Sequence, residues 1–193
     1  MAALLGATLP GRFVLALTNV ADAAGIGVAR GFGVETRCIP HREFRGDREA
    51  HERAIQAALE AAGVELVCLA GYMRRLTPYL VSAWAGRMLN VHPSLLPSFP
   101  GLETHRRALE AGVKLHGCTV HLVTDEIDAG PILAQAAVPV LAGDDEATLA
   151  ARVLRQEHVL YPSALRLFLE GAPGRGDAGA ALCNPLPGEA GAP

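Results

Sequence analysis

Aromatic side chains, long apolar runs and clustered charge are all scarce in this chain. Aromatic residues make up 5% of its 193 residues, its net charge is −3, and it has no run of five or more basic residues. The lack of a basic face argues against nucleic acid or an anionic membrane as a partner. No apolar stretch reaches the ~18 residues that a membrane span needs, and residues 1–5 lack the positive charge of a secretory signal.

Cysteine is also rare and widely scattered. Cys38, Cys68, Cys118 and Cys183 include no C-x-x-C pair. This spacing favours unpaired thiols in a reducing compartment over a disulfide framework, so the sequence predicts a cytoplasmic protein. Half of the residues are hydrophobic, which is enough to bury the core of one domain.

Short apolar runs alternate with amphipathic segments along the chain. The runs predict strands, and the segments that end at glycines predict helices. Predicted strands cover residues 13–19, 34–39, 65–70, 88–91, 118–123 and 132–139, and predicted helices cover residues 23–30, 47–62, 104–111 and 148–170. We expect Pro162 to interrupt the last helix and His116-Gly117 to lie in a loop.

This alternation predicts an α/β fold with an open, mostly parallel twisted sheet and helices on both faces. Ligands of such sheets bind beyond the carboxyl ends of the strands. The Gly-, Ala- and Pro-rich residues 172–193 are predicted to form a disordered tail, which leaves residues 1–171 as the folded domain.

The most informative segment lies between residues 90 and 131. It reads N-V-H-P-S-L-L-P-S-F-P-G from Asn90 and H-L-V-T-D-E-I-D-A-G-P from His121. Asn90 and His92 are two residues apart at the end of a predicted strand, so their side chains point to the same side. An asparagine can donate to an oxyanion, a histidine can carry a proton near neutral pH, and an aspartate such as Asp128 can orient that histidine. We therefore predict that Asn90, His92 and Asp128 are catalytic.

Two other chemistries fit this segment less well. Its histidines and aspartates match no common zinc spacing such as H-E-x-x-H, so we expect no metal. Ser94 lies near His92, but the G-x-S-x-G turn of a serine nucleophile is absent. An isolated Asn or His among prolines is usually a turn former, so the prediction rests on the whole segment.

The same segment, with H-G-C-T-V-H from His116 to His121, resembles the phosphoribosylglycinamide (glycinamide ribonucleotide) formyltransferases. Their pattern is N-[IV]-H-P-S-L-L-P-x-[FY]-P-G followed by H-G-x-[ST]-V-H-x-V-T-x-x-[LIV]-D-x-G-P, and the resemblance extends from about Gly11 to Gly171. It implies a Rossmann-like formyltransferase fold. It also implies transfer of the formyl group of 10-formyltetrahydrofolate to the amine of N1-(5-phospho-D-ribosyl)glycinamide in purine biosynthesis, by a monomer or homodimer.

The resemblance implies further binding residues. Those that would contact the folate are Arg48, Met73, Arg74, Arg75, Leu76 and Asn90. Glu157 and Gly71 would bind the ribonucleotide, and His121 would support the catalytic residues. Without the resemblance, Arg48 and Glu157 are equally compatible with solvated helix charges.

The first strand and phosphate-binding turn of the family have no counterpart at the amino-terminal end of this sequence. The resemblance implies a first strand and a Gly-Ser-Asn turn that binds the substrate phosphate at a helix N-terminus. Residues 1–7 instead resemble the helix that follows this turn, so we expect the first strand to be missing, through either an upstream start or a shortened protein. We then expect a strand-wide gap between residues 13–17 and 65–70, and a poorly soluble or molten chain.

Two alternative functions remain open. The first is a related enzyme of the same fold, either formyltetrahydrofolate hydrolase or methionyl-tRNA formyltransferase. The second is an inactive folate-binding remnant. A C-terminal tRNA-binding domain does not fit in this chain, which disfavours the tRNA enzyme.

Overall fold

Strands and helices alternate through residues 1–171, which are the residues that the computed structural model describes. The strands are β1 (Leu15–Thr18), β2 (Glu35–Cys38), β3 (Val67–Leu69), β4 (Met88–His92), β5 (Leu115–Leu122) and β6 (Ile132–Pro139). The helices are α1 (Ala2–Leu5), α2 (Ala24–Gly31), α3 (Arg48–Ala61), α4 (Pro78–Ala83), α5 (Thr104–Glu110) and α6 (Glu146–Leu169), with a 3₁₀ turn at His41–Phe44. The tail predicted for residues 172–193 lies outside the described residues.

The strands form an open, mixed sheet in two parts. β1 pairs with β2 in parallel, and β3 pairs with β4 in parallel, while β5 and β6 are added in antiparallel orientation in the order β3-β4-β5-β6. The predicted α/β fold with an open sheet is therefore confirmed, and its parallel character ends at β4.

A cavity of about 730 Å³ separates the two parts of the sheet. Within the described chain, β1 and β3 are each hydrogen-bonded to a strand on one side only, and both line this cavity. Side chains of α1, α3 and α6 line it as well, including Leu4, Ile55 and Leu165. The strand-wide gap predicted between residues 13–17 and 65–70 is present.

Two apolar cores cover the two faces of the sheet. The larger one packs β4, β5 and β6 against α6, with Leu89, Val120 and Leu160 fully buried. The smaller one packs α3 and α4 against β3 and the start of β4 around Trp84, whose indole N–H donates to Gln56 Oε1 at 2.6 Å. No helix in residues 1–171 is long and apolar enough to cross a membrane.

Two local predictions were wrong, and one helix was not predicted. α6 continues through Pro162: the proline removes one helix hydrogen bond, but the buried Leu160 and Leu165 anchor the helix on both sides of it. His116-Gly117 belongs to β5 rather than to a loop. Helix α4, which begins at Pro78, was not predicted because a helix of six residues is too short to show a helical period.

Candidate active site

Asn90, His92 and two partners on the next strand form a patch on one face of the sheet. β4 carries Asn90 and His92, and β5 lies antiparallel beside it with His121 opposite Asn90 and Thr119 opposite His92. Directly opposite residues on neighbouring strands place their side chains on the same face within contact distance. The pairing therefore brings together two predicted catalytic residues and the predicted supporting residue.

Both ring nitrogens of His92 face hydrogen-bond acceptors. Nδ1 lies 3.4 Å from Asp128 Oδ2, and Nε2 lies 3.1 Å from the carbonyl oxygen of Phe99. The residue is 6% exposed. A carboxylate and a carbonyl only accept, so a ring that carries protons on both nitrogens satisfies both contacts. The pair can therefore hold a proton where a reacting group could use it.

Asp128 is held in place by the backbone around it. It has a left-handed φ of +53°, and its Oδ2 accepts the Gly101 N–H at 2.8 Å. The loop then leads into β6, and at its end the Pro131 carbonyl accepts the Leu122 N–H of β5 at 2.9 Å. A Cβ at Gly130 would lie 1.9 Å from the Leu122 carbonyl oxygen, so glycine is required for this close approach.

The Asn90 amide contacts the sheet rather than the loops. Its Nδ2 lies 3.3 Å from His121 Nε2, and His121 Nε2 lies 3.8 Å from Asp128 Oδ1. Burial lowers the pKa of His121, although the Leu122 carbonyl and Asp128 act in the opposite direction. The three predicted catalytic residues thus form one connected cluster, with His121 between two of them.

The buried Thr119 of β5 and the half-buried Gln135 of β6 fix the proline-rich loop at residues 93–100. Thr119 Oγ1 donates to the Ser94 carbonyl at 2.7 Å and accepts the Leu96 N–H at 3.0 Å. Gln135 Nε2 donates to the Leu96 carbonyl at 2.8 Å. Because this loop carries the Phe99 carbonyl, these contacts set the position of the acceptor that faces His92. The roles of Thr119 and Gln135 were missed, since a polar residue within a strand gives no sign of its partner.

A second pair of histidines lies on the other side of the same loop. His105 Nδ1 and His116 Nε2 are 3.2 Å apart, and the Phe99 ring meets the His116 ring edge to face at 5.9 Å between centroids. Burial, followed by the proximity of His105, lowers the pKa of His116 to about 4. His116 is therefore neutral at physiological pH and packs as a core side chain.

The predicted folate-contacting loop follows β3, at the same sheet edge as Asn90 and His92. Glu52 of α3 is buried and its carboxylate accepts the Thr77 N–H at 2.9 Å, which ties α3 to this loop. Arg48 lies one turn before Glu52 on α3, so the two share a helix face. Met73 is 83% exposed. The exposed or half-exposed candidates in this region are Arg48, Met73, Arg74, Arg75 and Leu76.

The two predicted ribonucleotide-binding residues lie on different elements: Glu157 is on α6, and Gly71 follows β3, two residues after the strand partner of Asn90. Glu157 on α6 is half-buried, and burial raises its pKa. It is close enough to Cys118 to raise the pKa of that thiol, and Cys118 faces the opposite side of β5 from His121. Gly71 has a φ of +72° and lines the cavity between β1 and β3.

Within residues 1–171, no group of three or more His, Cys, Asp or Glu side chains has an arrangement that could hold a metal ion. The absence of a metal in the working protein stays a prediction.

The sequence matches the formyl transferase family over residues 2–165. Phosphoribosylglycinamide formyltransferase of Escherichia coli (strain K12) is 49% identical over 154 residues, which cover 80% of this chain and 72% of that protein. The crystal structure of glycinamide ribonucleotide transformylase 1 from Symbiobacterium toebii has a TM-score of 0.85 and 48% identity, over 88% of this chain and 82% of that chain. The chain therefore belongs to the formyl transferase family, and within it to the phosphoribosylglycinamide formyltransferases.

Two further comparisons show how far this assignment extends. The trifunctional purine biosynthetic protein adenosine-3 of Gallus gallus is 48% identical over 166 residues, which are 86% of this chain and only 16% of that protein. The chain thus spans about one-sixth of this relative. A formyltetrahydrofolate deformylase from Pseudomonas syringae is 29% identical with a TM-score of 0.77, and the chain covers 53% of it. The alternative function of formyltetrahydrofolate hydrolase (deformylase) is accordingly not favoured.

Proposed function

We propose that this protein transfers the formyl group of 10-formyltetrahydrofolate to the primary amine of N1-(5-phospho-D-ribosyl)glycinamide, a step of purine biosynthesis. The observation that carries the proposal is the connected cluster of Asn90, His92 and Asp128, which combines an amide donor, a proton carrier and a carboxylate. Similarity to named formyltransferases over most of the chain supports it. We further propose a cytoplasmic location, to which the free thiols of Cys38 and Cys68 are suited, and a monomer or homodimer as the working form.

The reaction needs one bond formed, one bond broken and one proton moved. The substrate amine adds to the formyl carbon, and negative charge develops on the formyl oxygen. The bond from the formyl carbon to N10 of the folate then breaks, and N10 gains a proton as the new amide nitrogen loses one. The catalytic groups must therefore stabilise an oxyanion and pass a proton between two nitrogens.

Asn90 and His92 supply the donors for the developing oxyanion in this proposal. The Phe99 carbonyl now accepts from His92 Nε2, and the formyl oxygen takes that acceptor's place during the reaction. Asp128 faces the other ring nitrogen at 3.4 Å and orients the ring. Loss of one such donor typically costs about 100- to 1,000-fold in kcat.

Folate and ribonucleotide approach this cluster from different sides in this proposal. In this proposal the folate rests on the loop after β3 and contacts Met73, Arg74, Arg75 and Leu76 there, together with Arg48 of α3 and Asn90 of β4. Exposed apolar and cationic side chains there match a flat pterin ring with an acidic tail. Gly71 and Glu157 are assigned to the ribonucleotide, and no metal participates.

Substitution of the cluster tests the proposal. His92→Ala and Asp128→Ala should each lower kcat for formyl transfer by at least about 100-fold, measured from the deformylated folate formed. Asp125→Ala is the matched control, because Asp125 is an exposed carboxylate of the same loop and should leave kcat within about twofold. The assays use both the chain itself and a form with an added amino-terminal strand that fills the gap between β1 and β3.

Each other result has a defined meaning. Near-normal turnover by either cluster variant would overturn the catalytic assignment. Formate release without the amine substrate would identify a hydrolase. Binding of a folate analogue without turnover, in both forms of the unsubstituted protein, would identify an inactive remnant.

A further inference from the structure

His121 is the only side chain for which the described structure records contacts to both Asn90 and Asp128. It is 3% exposed, and the pairing between β5 and β6 is irregular at Val120/His121. The additional residue lies in β6, because Val120 pairs with Ala134 and His121 with Ile132, whereas β5 pairs with β4 without interruption. The position of His121 opposite Asn90 is therefore fixed by the regular β4–β5 pairing rather than by a loop.

The hydrogen bonds of His121 determine which of its nitrogens carries the proton. Nδ1 lies 3.0 Å from the Leu122 carbonyl oxygen, which can only accept, so Nδ1 is the protonated nitrogen. Burial disfavours a second proton on the ring. Nε2 is therefore left with a lone pair, and it is an acceptor.

This acceptor restricts the orientation of the Asn90 amide. An amide presents either its NH2 group or its carbonyl oxygen to a neighbour, and only the NH2 group can donate to His121 Nε2. Asp128 Oδ1 lies 3.8 Å from the same nitrogen, so an amide oxygen placed there would meet two sources of negative charge. The NH2 group is thus held beside His121, and its second hydrogen remains available at a fixed position.

We propose that His121 is a positioning residue for formyl transfer, which acts by orienting the Asn90 amide so that its free N–H can donate to the formyl oxygen. This role rests on the function proposed above. Without His121 the amide could turn over and present its oxygen to the developing charge, which would repel it. Removal of His121 should then lower kcat, and the size of this decrease should depend on the presence of Asn90.

The first test is a double-mutant cycle. His121→Phe keeps a planar ring of similar size but removes the acceptor, and it should lower kcat by about 10- to 100-fold with little change in KM, which is less than the loss of a donor outright. His121→Gln offers an amide oxygen as acceptor and should recover most of the rate. In an Asn90→Ala background His121→Phe should have no further effect, because its role runs through Asn90.

The second test does not depend on turnover. In nuclear magnetic resonance spectra, the Asn90 side-chain NH2 signals should shift in His121→Phe and return towards their original position in His121→Gln. The exposed His158 gives a control, His158→Phe, which should change neither the signals nor kcat. Multiplicative rate losses in the cycle, or unchanged Asn90 signals in His121→Phe, would overturn the proposal. An inactive unsubstituted protein with the expected signal shifts would instead count against the proposed function alone.

Discussion

The cavity of about 730 Å³ between β1 and β3 should make this chain unstable when it is expressed alone. Empty volume in a core costs about 24 cal/mol per Å³, so the cavity corresponds to at most about 18 kcal/mol. Its open side admits water, which lowers this figure. A whole domain is stabilised by only about 5–15 kcal/mol, so even half of the calculated cost is comparable with the total.

The unpaired edges of β1 and β3 add to this cost. Their inward backbone N–H and C=O groups lack strand partners within the described residues, and edges of this kind favour aggregation. We therefore expect low solubility, or a broad thermal transition without a defined melting temperature. An amino-terminal extension that supplies a strand of about five residues, followed by a turn into α1, should restore a cooperative melt.

Calorimetry and circular dichroism compare the chain with two extended forms. One extension is an apolar, β-branched strand, and the other is a Gly/Ser segment of the same length that cannot fill the cavity. Only the first should sharpen the melt and raise solubility. A sharp, cooperative melt of the unextended chain at an ordinary mesophile temperature, or equal rescue by both extensions, would refute the reasoning.

Two further predictions concern single residues. His116 has a pKa of about 4 when folded against 6.5 in the unfolded chain, so its contribution to stability is complete above pH 6.5 and is lost as the pH falls from 6.5 through 4. Urea unfolding of the form extended by the β-branched strand should show a loss of up to about 3 kcal/mol over that range, and an unchanged pH slope in His116→Phe would contradict this origin. Gly130→Ala should displace the Asp128 loop and lower kcat by at least about 100-fold, because the added Cβ would lie 1.9 Å from the Leu122 carbonyl oxygen. Gly27→Ala, whose Cβ meets nothing within 4 Å in α2, should be neutral or stabilising, and equal kinetics of the two alanine variants would refute the steric explanation.

That Asn90, His92 and Asp128 lie together could be predicted, because the pattern of the first two is local. Asn90 and His92 share one strand, and their two-residue spacing places them on one face in any extended chain. Asp128 was proposed because the whole segment from Asn90 to Pro131 resembles the formyltransferase pattern. The backbone groups of Phe99 and Gly101 could not be predicted, because every residue carries a carbonyl and nearly every residue an N–H, and only the folded loop shows which ones face the site.

The direction of β5 was also beyond the sequence. An apolar run predicts a strand but does not determine whether it lies parallel or antiparallel to its neighbour. β4 and β5 are joined through α5, and such a connection usually gives a parallel pair, whereas this pair is antiparallel. That orientation decides that His121, rather than another residue of β5, lies opposite Asn90.

The cavity and the catalytic cluster belong to different parts of the fold. The cluster is held by contacts with β5 and with two loops, one of which carries Phe99 and Gly101 and the other Asp128. None of these contacts involves β1, β2 or α1. Gly71, by contrast, lines the cavity. Loosening of β1 and β2 therefore acts first on global stability and on the proposed ribonucleotide side of the site. The geometry that supports oxyanion and proton chemistry is built into β4, β5 and their loops, whereas the gap is bordered by β1 and, in the four-stranded part of the sheet, by β3 and Met88.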